Sequence, residues 1–439
     1  MQIDQITLTD LSIFNADEEQ SVFNRLNYTR TYAGKFWLRQ FFSNPFHELD
    51  KIKQTQTLIK LLMDKQDKWP ALITNGTIMV LEKYYDTVVD DIPRMPNKVT
   101  ALAYKLLHSP DYAIIKYTVG HCIDFVKGLR NIVLLLHNPE NPPLLAQILD
   151  RIMQNFKRPE VLSMLAVEDK SHLSQPDILY YGHFLRNHYK QAIFELIDLH
   201  GKLDAYSGMA IAVKENNLHF PAFHETDQPM IRAKQLFHIL LPTPVAYDLE
   251  MNKATNFIFL TGANMAGKST FIKGVGVAVY LAHLGMGVPA QQMELCLFHG
   301  LLSNIQVNDN IIKGESYFFN EVQRIKNTII KINNGKKWLV LIDELFKGTN
   351  VQDAMKCSSA VIQGLARMRN SLFILSTHLY EIGDELRNYE NIAFRFFETS
   401  VLDDQQLHFS YQLQEGISND RLGYLILKRE KVVELLDNL

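Results

Sequence analysis

One stretch of the sequence constrains the fold of this chain more than any other. FIFLTGANMAGKSTFIKG, residues 257–274, contains an apolar strand, a glycine loop and the start of a helix, in that order. The loop matches the pattern G-x-x-x-x-G-K-[ST], in which backbone amides and a lysine surround phosphate oxygens at the positive end of a helix. The stretch therefore predicts a nucleoside triphosphate site on a sheet that is covered by helices.

Each part of the loop has an expected role in binding phosphate. Gly262 and Gly267 let the backbone fold close around the phosphates, and the amides from Asn264 to Thr270 converge on them. Lys268 adds a point charge between the β- and γ-phosphates, and the Ser269 hydroxyl can bind Mg²⁺. We therefore predict ATP and Mg²⁺ as ligands. The predicted nucleotide-binding residues are Gly262, Ala263, Asn264, Met265, Ala266, Gly267, Lys268, Ser269 and Thr270.

A second strand ends in two acidic residues. WLVLIDELFKGTN, residues 338–350, is apolar up to Asp343 and Glu344. Open α/β sheets bind their ligands at the carboxyl ends of strands. We expect Asp343 to hold Mg²⁺ through water and Glu344 to orient or deprotonate the attacking water. Such a pair is common at solvated strand ends, but its position after the glycine loop favours ATP hydrolysis.

A third apolar strand, LFILSTH at residues 372–378, ends in a histidine. A histidine at a strand end is more often a polar terminus than a catalytic group. The order of glycine loop, acidic pair and histidine favours a contact between His378 and the γ-phosphate. We therefore predict Glu344, Lys268 and His378 as the catalytic residues. A Phe/Tyr-rich stretch from Ala393 to Leu413 predicts a hairpin.

The two halves of the chain differ in their hydrophobic pattern. From about residue 16 to residue 221, apolar residues recur three and four apart, which is typical of helices, and the proline-rich segment at residues 137–143 predicts a loop between two of them. Beyond that half, strands and helices alternate. We expect an α + α/β chain with an all-helical domain over residues 1–222. A P-loop ATPase domain with a mostly parallel sheet would follow over residues 223–439.

Composition limits the partners and the compartment. A net charge of −3 and a pI of about 6.6 give the whole chain no general attraction to nucleic acid or to an anionic membrane. DNA binding would need local clusters, and the candidates are more often solvated helix faces: Lys157 with Arg158, and Lys428 with Arg429 and Lys431. The first residues do not match a secretory signal, and no segment approaches about 20 apolar residues. Three cysteines without paired spacing indicate a reducing compartment, so we predict the cytoplasm and no membrane partner.

These motifs resemble those of the MutS family of DNA mismatch repair ATPases. The resemblance covers the family's glycine loop and its G-x-x-VPA segment, its DE-x-x-R-GTS/N element, its TH-x-x-E element and its terminal segment. The corresponding stretches are residues 261–290, 343–350, 376–381 and 411–427. In the first half, residues 27–59 are similar to the opening of the family's core, and residues 200–212 to the end of its lever region.

The resemblance implies a helical core and lever followed by an ABC-like ATPase domain. In the family, the nucleotide sites lie at a dimer interface, and a serine of one subunit completes the site of its partner. Ser316 is the matching position. From spacing alone, the segment at residues 313–322 predicts only a loop that enters a helix. The resemblance further implies a homodimer, DNA and a repair protein as partners.

The sequence also departs from the family. It begins directly in the core region, so we expect no mismatch-reading domain with a Phe-x-Glu wedge. Residues 95–180 look helical and contain little strand-like sequence for a DNA clamp. Within the site, four residues differ from the usual ones without removing a catalytic group: Ala263, Ala266, Phe346 and Lys347. Phe237 and His238 precede the loop in a region that is a candidate for adenine binding.

Three functions remain open at this point. A DNA-associated, MutS-like ATPase is favoured by the resemblance. An ABC-like dimeric ATPase that acts on a protein partner without touching DNA is favoured by the acidic charge balance. A kinase or transferase is the weakest of the three, because Asp343 and Glu344 are suited to activating water.

Overall fold

The structure is a computed structural model that describes residues 1–15, 17–306, 317–401, 407–418, 431, 432 and 435. By internal contacts the chain divides into two compact units. The α/β unit consists of Met1–Arg25, Asn44–Lys53 and Glu215–Leu439, and the helical unit of Leu26–Ser43 and Gln54–Lys214. This division differs from a single cut at residue 222, because two N-terminal segments group with the α/β unit.

The first 25 residues pack on the sheet of the α/β unit. They form β1 (Gln2–Ile3), α1 (Gln5–Asp10), a 3₁₀ turn (Glu18–Gln20) and α2 (Val22–Arg25). The buried Asp10 carboxylate accepts hydrogen bonds from the Ser303 hydroxyl (2.5 Å) and the Ile305 amide (3.0 Å). The Thr7 hydroxyl accepts the Ser303 amide at 2.9 Å. These partners of Asp10 and Thr7 lie about 300 residues away, so no local pattern could reveal where the segment packs.

Nine helices among the described residues form the helical unit. They are α3 (Tyr32–Ser43), α4 (Leu49–Met63), α5 (Asn75–Asp86), α6 (Lys98–Leu107), α7 (Ser109–Leu136), α8 (Pro143–Asn155), α9 (Pro159–Ala166), α10 (Gln175–His188) and α11 (Lys190–Glu215), with 3₁₀ turns at Gln66–Lys68 and Lys170–His172. The first five residues of α4 and the last residue of α11 nevertheless group with the α/β unit. The predicted loop at residues 137–143 separates α7 from α8, and Pro143 starts α8. Proline suits the first helical position because its missing N–H has no partner there.

A buried aspartate in α11 anchors the start of α3. The Asp204 carboxylate accepts the amide of Arg30 (3.1 Å) and both the amide and the hydroxyl of Thr31 (2.8 and 2.7 Å). A β-carbon on Gly34 would lie 2.1 Å from Asp204 Oδ2, so this position needs glycine. Thr31 and Gly34 belong to the T-x-x-G pattern in the sequence, and their contacts with Asp204 explain why these residue types occur there.

The α/β unit contains two sheets. The larger has the order β1-β7-β8-β9-β5-β10-β11, in which only the β10–β11 pair is antiparallel; the smaller has the order β2-β6-β3-β4. The strands are β2 (Ala222–His224), β3 (Ile231–Leu236), β4 (Tyr247–Met251), β5 (Phe257–Thr261), β6 (Gln292–Cys296), β7 (Gly300–Asn304), β8 (Trp338–Asp343), β9 (Leu372–Ser376), β10 (Ile392–Val401) and β11 (Leu407–Glu415). The helices that follow the glycine loop are α12 (Lys268–His283), α13 (Tyr317–Ile332), α14 (Val351–Ala366) and α15 (Ile382–Leu386). The predicted mostly parallel sheet and the predicted hairpin are both confirmed.

The centre of the larger sheet is buried on both faces. Every residue of β5, β8 and β9 is buried, as expected for parallel strands between two helical layers. Phe257 of β5 stacks on Phe373 of β9 with ring centres 5.6 Å apart. These three strands are neighbours, so their carboxyl ends meet at one edge of the sheet. No described helix is long and apolar enough to cross a membrane.

Candidate nucleotide site

The three motifs predicted to carry chemistry meet at the carboxyl ends of β5, β9 and β8. Ser376 at the end of β9 is paired with Leu260 of β5 on one side and with Asp343 of β8 on the other. Main-chain bonds extend this pairing past the strand ends, since the Thr377 amide donates to the Leu260 carbonyl (3.0 Å). Parallel pairing in register therefore brings together residues as distant in sequence as Leu260 and Ser376, which are 116 positions apart.

The glycine loop has the backbone that its sequence predicts. Gly262 and Gly267 have φ values of +138° and +106°, which residues with a β-carbon rarely adopt, and Gly267 caps α12. Met265 also has a positive φ, at 68°. Ala263 and Ala266, which replace the family's proline and glycine, are buried without disturbing the loop. Asn264 and Met265 are exposed, and Thr270 lies in the first turn of α12. The amides at this helix start are directed towards the loop.

Lys268 is buried inside the loop. Its ammonium donates to the carbonyls of Gly262 (2.8 Å) and Ala263 (3.0 Å), and lies 3.4 Å from His378 Nε2. Burial lowers the pKa of Lys268, while the nearby carboxylates of Glu344 and Asp343 oppose that shift. A cation held by backbone carbonyls is incompletely neutralised, so phosphate oxygens would be favourable replacements for those carbonyls.

Asp343 lies between two hydroxyl groups. Ser269 Oγ donates to Asp343 Oδ2 at 2.5 Å, and Ser376 Oγ donates to Asp343 Oδ1. A hydroxyl and a carboxylate are oxygen donors of the kind that Mg²⁺ prefers. The residues present therefore fit Mg²⁺ beside a triphosphate. Sequence reasoning assigned Ser269 and Asp343 to the metal, but did not foresee that Ser376 also bonds Asp343.

Glu344 is the centre of a chain of charged contacts across the site. Its Oε1 lies 3.2 Å from His378 Nε2, and its Oε2 lies 3.0 Å from Lys347 Nζ. Burial raises the pKa of Glu344, but the hydrogen bonds with His378 and Lys347 outweigh burial and hold the pKa at about 2. Burial lowers the pKa of Lys347, but its bond with Glu344 outweighs that effect and raises the pKa. Glu344 is therefore ionised at neutral pH and directed towards the loop.

Two tyrosines that the sequence did not single out lie beside the loop. A β-carbon on Gly267 would lie 3.4 Å from Tyr411 Cδ1 and 3.8 Å from Tyr247 Oη. Tyr411 is on β11 and has a φ of +52°. Tyr411 reaches the loop because β11 pairs with β10 and β10 with β5, whereas Tyr247 is on β4 of the smaller sheet. No sequence motif adjoining the loop could have identified either tyrosine.

The region around His238 lies elsewhere. A β-carbon on Gly274 would lie 3.7 Å from the Cα of His238, so this histidine is beside the middle of α12, about two turns beyond Gly267. Burial lowers the pKa of His238 to about 4. The adenine-binding role of Phe237 and His238 stays a prediction. Ser316 and two members of the late basic cluster, Lys428 and Arg429, lie outside the described residues.

Comparison with known proteins agrees with this geometry. Residues 258–434 match the family model described as MutS domain V. The matched residues all fall within the α/β unit. The match begins within β5, immediately before the glycine loop, and continues past β11.

Several curated relatives are DNA mismatch repair proteins MutS. That of Leuconostoc citreum is 30% identical over 267 residues, which are 58% of this chain and 30% of the relative. That of Pseudothermotoga lettingae is 28% identical over 233 residues, 53% of this chain and 28% of the relative. That of a Geobacillus species is 27% identical over 284 residues, 62% of this chain and 32% of the relative. The chain spans about three tenths of the length of these MutS proteins.

Proposed function

We propose that this MutS-like chain binds ATP with Mg²⁺ and hydrolyses it to ADP and phosphate. One observation carries the proposal: Lys268 at the start of α12 and the acidic pair at the end of β8 come together beside the glycine loop. Asp343 bonds Ser269 of that loop, and Glu344 and Lys268 both contact His378. A structural strand-to-helix turn would not need a buried lysine opposite two carboxylates. The match to MutS domain V supports the same reaction.

Each side chain has a different role in the proposed reaction. The Lys268 ammonium would exchange its two carbonyl partners for phosphate oxygens, and Ser269 and Asp343 would hold Mg²⁺. The bound ion supplies positive charge that stabilises the phosphate oxygens as the bond breaks. With a pKa of about 2, Glu344 is a weak base. Its contribution is therefore to accept a hydrogen bond from the attacking water and align it, rather than to remove its proton early. His378 would contact the γ-phosphate.

We propose that the ATPase acts as a homodimer on DNA. The support is the match to domain V and the relatives named as DNA mismatch repair proteins. Ser316 would complete the partner's nucleotide site. Lys157 and Arg158, which are exposed between α8 and α9, are candidates for contacting DNA phosphates. Contacts of this kind release counterions, so binding would weaken steeply with salt.

A switch that acts on a protein partner without touching DNA is the second candidate. A specific feature of the helical unit favours it: an apolar strip on α6 and just before it is exposed to solvent. Met95 is 88% exposed, Val99 77% and Leu106 73%. Exposed apolar patches on folded domains commonly mark protein interfaces. The chain's net charge of −3 also fits this alternative better than DNA binding.

Steady-state phosphate release tests both candidates. The purified protein is measured alone and with homoduplex, mismatched, branched and single-stranded DNA at low salt, beside the variants Lys268→Ala and Glu344→Ala. Hydrolysis that both variants lose and that one DNA structure changes supports the DNA-associated ATPase. Hydrolysis that no DNA changes supports the protein-partner switch. Transfer of phosphate to an acceptor without release of free phosphate would instead indicate a kinase or transferase.

A further inference from the structure

Glu321 is a buried carboxylate in the second turn of α13 that holds the turn after β8. The side chain is 4% exposed. Its Oε1 accepts the amide of Lys347 (3.1 Å), and its Oε2 accepts the amide of Gly348 (3.2 Å). Each carboxylate oxygen thus binds one of two consecutive amides, so the position and orientation of that peptide segment are both restrained. The glycine loop follows a different strand, β5, and takes no part in this contact.

The turn that Glu321 holds has an unusual backbone. Glu344 and Phe346 have φ values of +59° and +58°, a conformation that is uncommon for residues with a β-carbon. Such conformations persist when the surrounding structure restrains them, and they cluster at functional sites. The restraint has a physical source here, because the two amides that follow Phe346 are bound by Glu321.

Packing against α13 adds to this restraint. A β-carbon on Gly348 would lie 2.7 Å from Tyr317 Cδ1 and 2.8 Å from the Phe318 amide nitrogen, so the turn touches the start of the helix. The buried Phe346 ring lies 5.7 Å from the Phe318 ring. A glycine at 348 permits this approach, and the approach brings the amides within reach of Glu321.

The same turn carries two side chains of the candidate site. Glu344 begins it, and Lys347, whose amide is bound to Glu321, pairs with the Glu344 carboxylate at 3.0 Å. Movement of the Lys347–Gly348 peptide would therefore move the group that is expected to align the attacking water.

We propose that Glu321 is a positioning residue for ATP hydrolysis, which fixes the turn at residues 344–348 and thereby holds Glu344 in its working orientation. This inference rests on the proposed function. Glu321 acts through Glu344 and does not touch the nucleotide. Its removal therefore lowers the rate of the chemical step and leaves nucleotide binding to the glycine loop intact.

The test compares Glu321→Ala, Glu321→Gln and wild type by kcat per nucleotide-binding site and by the Kd of a fluorescent ATP analogue. Misplacing a catalytic group by about 1 Å can cost roughly 100-fold in rate. We expect Glu321→Ala to lower kcat by about 10- to 100-fold with an unchanged Kd. Glu321→Gln, which retains one acceptor oxygen, should give an intermediate kcat. Counting binding sites removes any contribution from misfolded protein.

Measuring Glu321→Ala in a Glu344→Gln protein separates a positioning role from general destabilisation. If Glu321 acts through Glu344, then Glu321→Ala causes no further loss of kcat in a Glu344→Gln protein. Glu385 on α15, an exposed residue whose carboxylate accepts the Ser359 hydroxyl at 2.9 Å, is a control for the loss of a hydrogen-bonded carboxylate. Glu385→Gln should leave kcat unchanged. Hydrogen exchange of the Lys347 and Gly348 amides should accelerate in Glu321→Ala.

The possible failures are distinguishable. The positioning role would be overturned, with wild-type hydrolysis intact, by either of two results. One is an unchanged kcat in Glu321→Ala; the other is that Glu321→Ala lowers kcat by the same factor in the Glu344→Gln protein as in the wild type. If the wild-type protein shows no hydrolysis that Lys268→Ala abolishes, the proposed function is overturned, and the positioning role with it.

Discussion

Asp204 in the helical unit and Asp343 in the α/β unit are both buried aspartates, but their partners differ. The partners of Asp204 are two backbone amides and the Thr31 hydroxyl, groups that hold the start of α3 in place. The partners of Asp343 are the hydroxyls of Ser269 and Ser376. Hydroxyls can rotate and exchange one partner for another, whereas helix-start amides have few alternatives. The comparison indicates a structural role for Asp204 and a ligand-binding role for Asp343.

The largest expected effect is on activity, from Asp343→Asn. This change removes the charge expected to hold Mg²⁺, and should lower ATP hydrolysis by about 10³-fold, or about 4 kcal/mol. The free energy of unfolding should change by less than about 1 kcal/mol, because an amide can still bond both serine hydroxyls. Phosphate release and urea unfolding measure the two quantities. Strong destabilisation with near-normal hydrolysis would reverse the role assigned to Asp343.

Asp204→Ala should give the opposite result. It leaves the amides of Arg30 and Thr31 without their acceptor, which should lower the free energy of unfolding of the helical unit by about 3 kcal/mol. Nucleotide affinity per folded molecule should stay unchanged. Tryptophan fluorescence can follow each unit, since Trp37 and Trp69 belong to the helical unit and Trp338 to the α/β unit.

Asp150→Ala, at an exposed position on α8, is the matched control for Asp204→Ala and should stay within about 0.5 kcal/mol of wild type. If the two variants unfold at the same urea concentration, Asp204 does not anchor α3.

A smaller effect is expected from Asp10→Asn in the N-terminal segment. The Asp10 carboxylate accepts hydrogen bonds from the Ser303 hydroxyl and from the Ile305 and Gln306 amides. In asparagine an NH₂ group replaces one of the two accepting oxygens, so it would face one of these hydrogen-bond donors. The free energy of unfolding should fall by about 2 kcal/mol, and the loss should appear in the Trp338 signal of the α/β unit. Asp17→Asn, at an exposed position of the same segment, is the control. A loss seen only in the Trp37 and Trp69 signals would assign residues 1–25 to the helical unit instead.

The smallest effect expected is a difference in acid sensitivity. Burial lowers the pKa of His238 and His283 in the α/β unit, and of His200 in the helical unit, to about 4 in each case. Their folded-state pKa values lie below the unfolded value of about 6.5, so the stability they contribute is present above pH 6.5 and is lost as the pH falls towards 4. Between pH 6.5 and 5.5 each histidine should cost about 1 kcal/mol.

These three groups alone should therefore cost the α/β unit about twice as much stability as the helical unit over this interval. Burial also lowers the pKa of His299 in the α/β unit and of His121 and His183 in the helical unit, which narrows the difference between the units. Urea unfolding at the two pH values, followed by the same tryptophans, measures the losses. His200→Gln should remove the His200-dependent part of the loss from the helical unit and leave the α/β unit as before. Equal losses in both units, unaffected by this substitution, would show that other groups control the acid response.

Much of the α/β unit follows from local patterns in the sequence. The glycine loop, the acidic pair and the final histidine each lie at the end of an apolar run, and parallel strands bring such ends together at one edge. In the helical unit, the spacing of apolar residues and the proline-rich segment at residues 137–143 likewise predicted helices and a break between them where the structure has them. These features could be predicted because backbone geometry links them to residues within a few positions of one another.

The contacts that escaped prediction join distant residues. The N-terminal segment carries no motif, and its Asp10 bonds residues near position 303. Ser376 had no assigned role in the sequence and is a partner of Asp343, while Tyr411 reaches the glycine loop through the β10–β11 hairpin. Glu321 had no visible role in the sequence, because its partners are backbone amides, which every residue type except proline supplies.

The sequence by itself determined the class of fold, the phosphate-binding loop and the acidic residues that follow it, because short-range backbone and side-chain chemistry demands those residue types in that order. Only the tertiary structure decided what the other buried carboxylates bind. Asp343 is identified by its position at the end of an apolar strand, but nothing in the sequence indicates the partners of Asp10, Asp204 and Glu321. Burial makes each carboxylate require partners, and the identity of those partners depends on contacts between residues that are far apart in the chain.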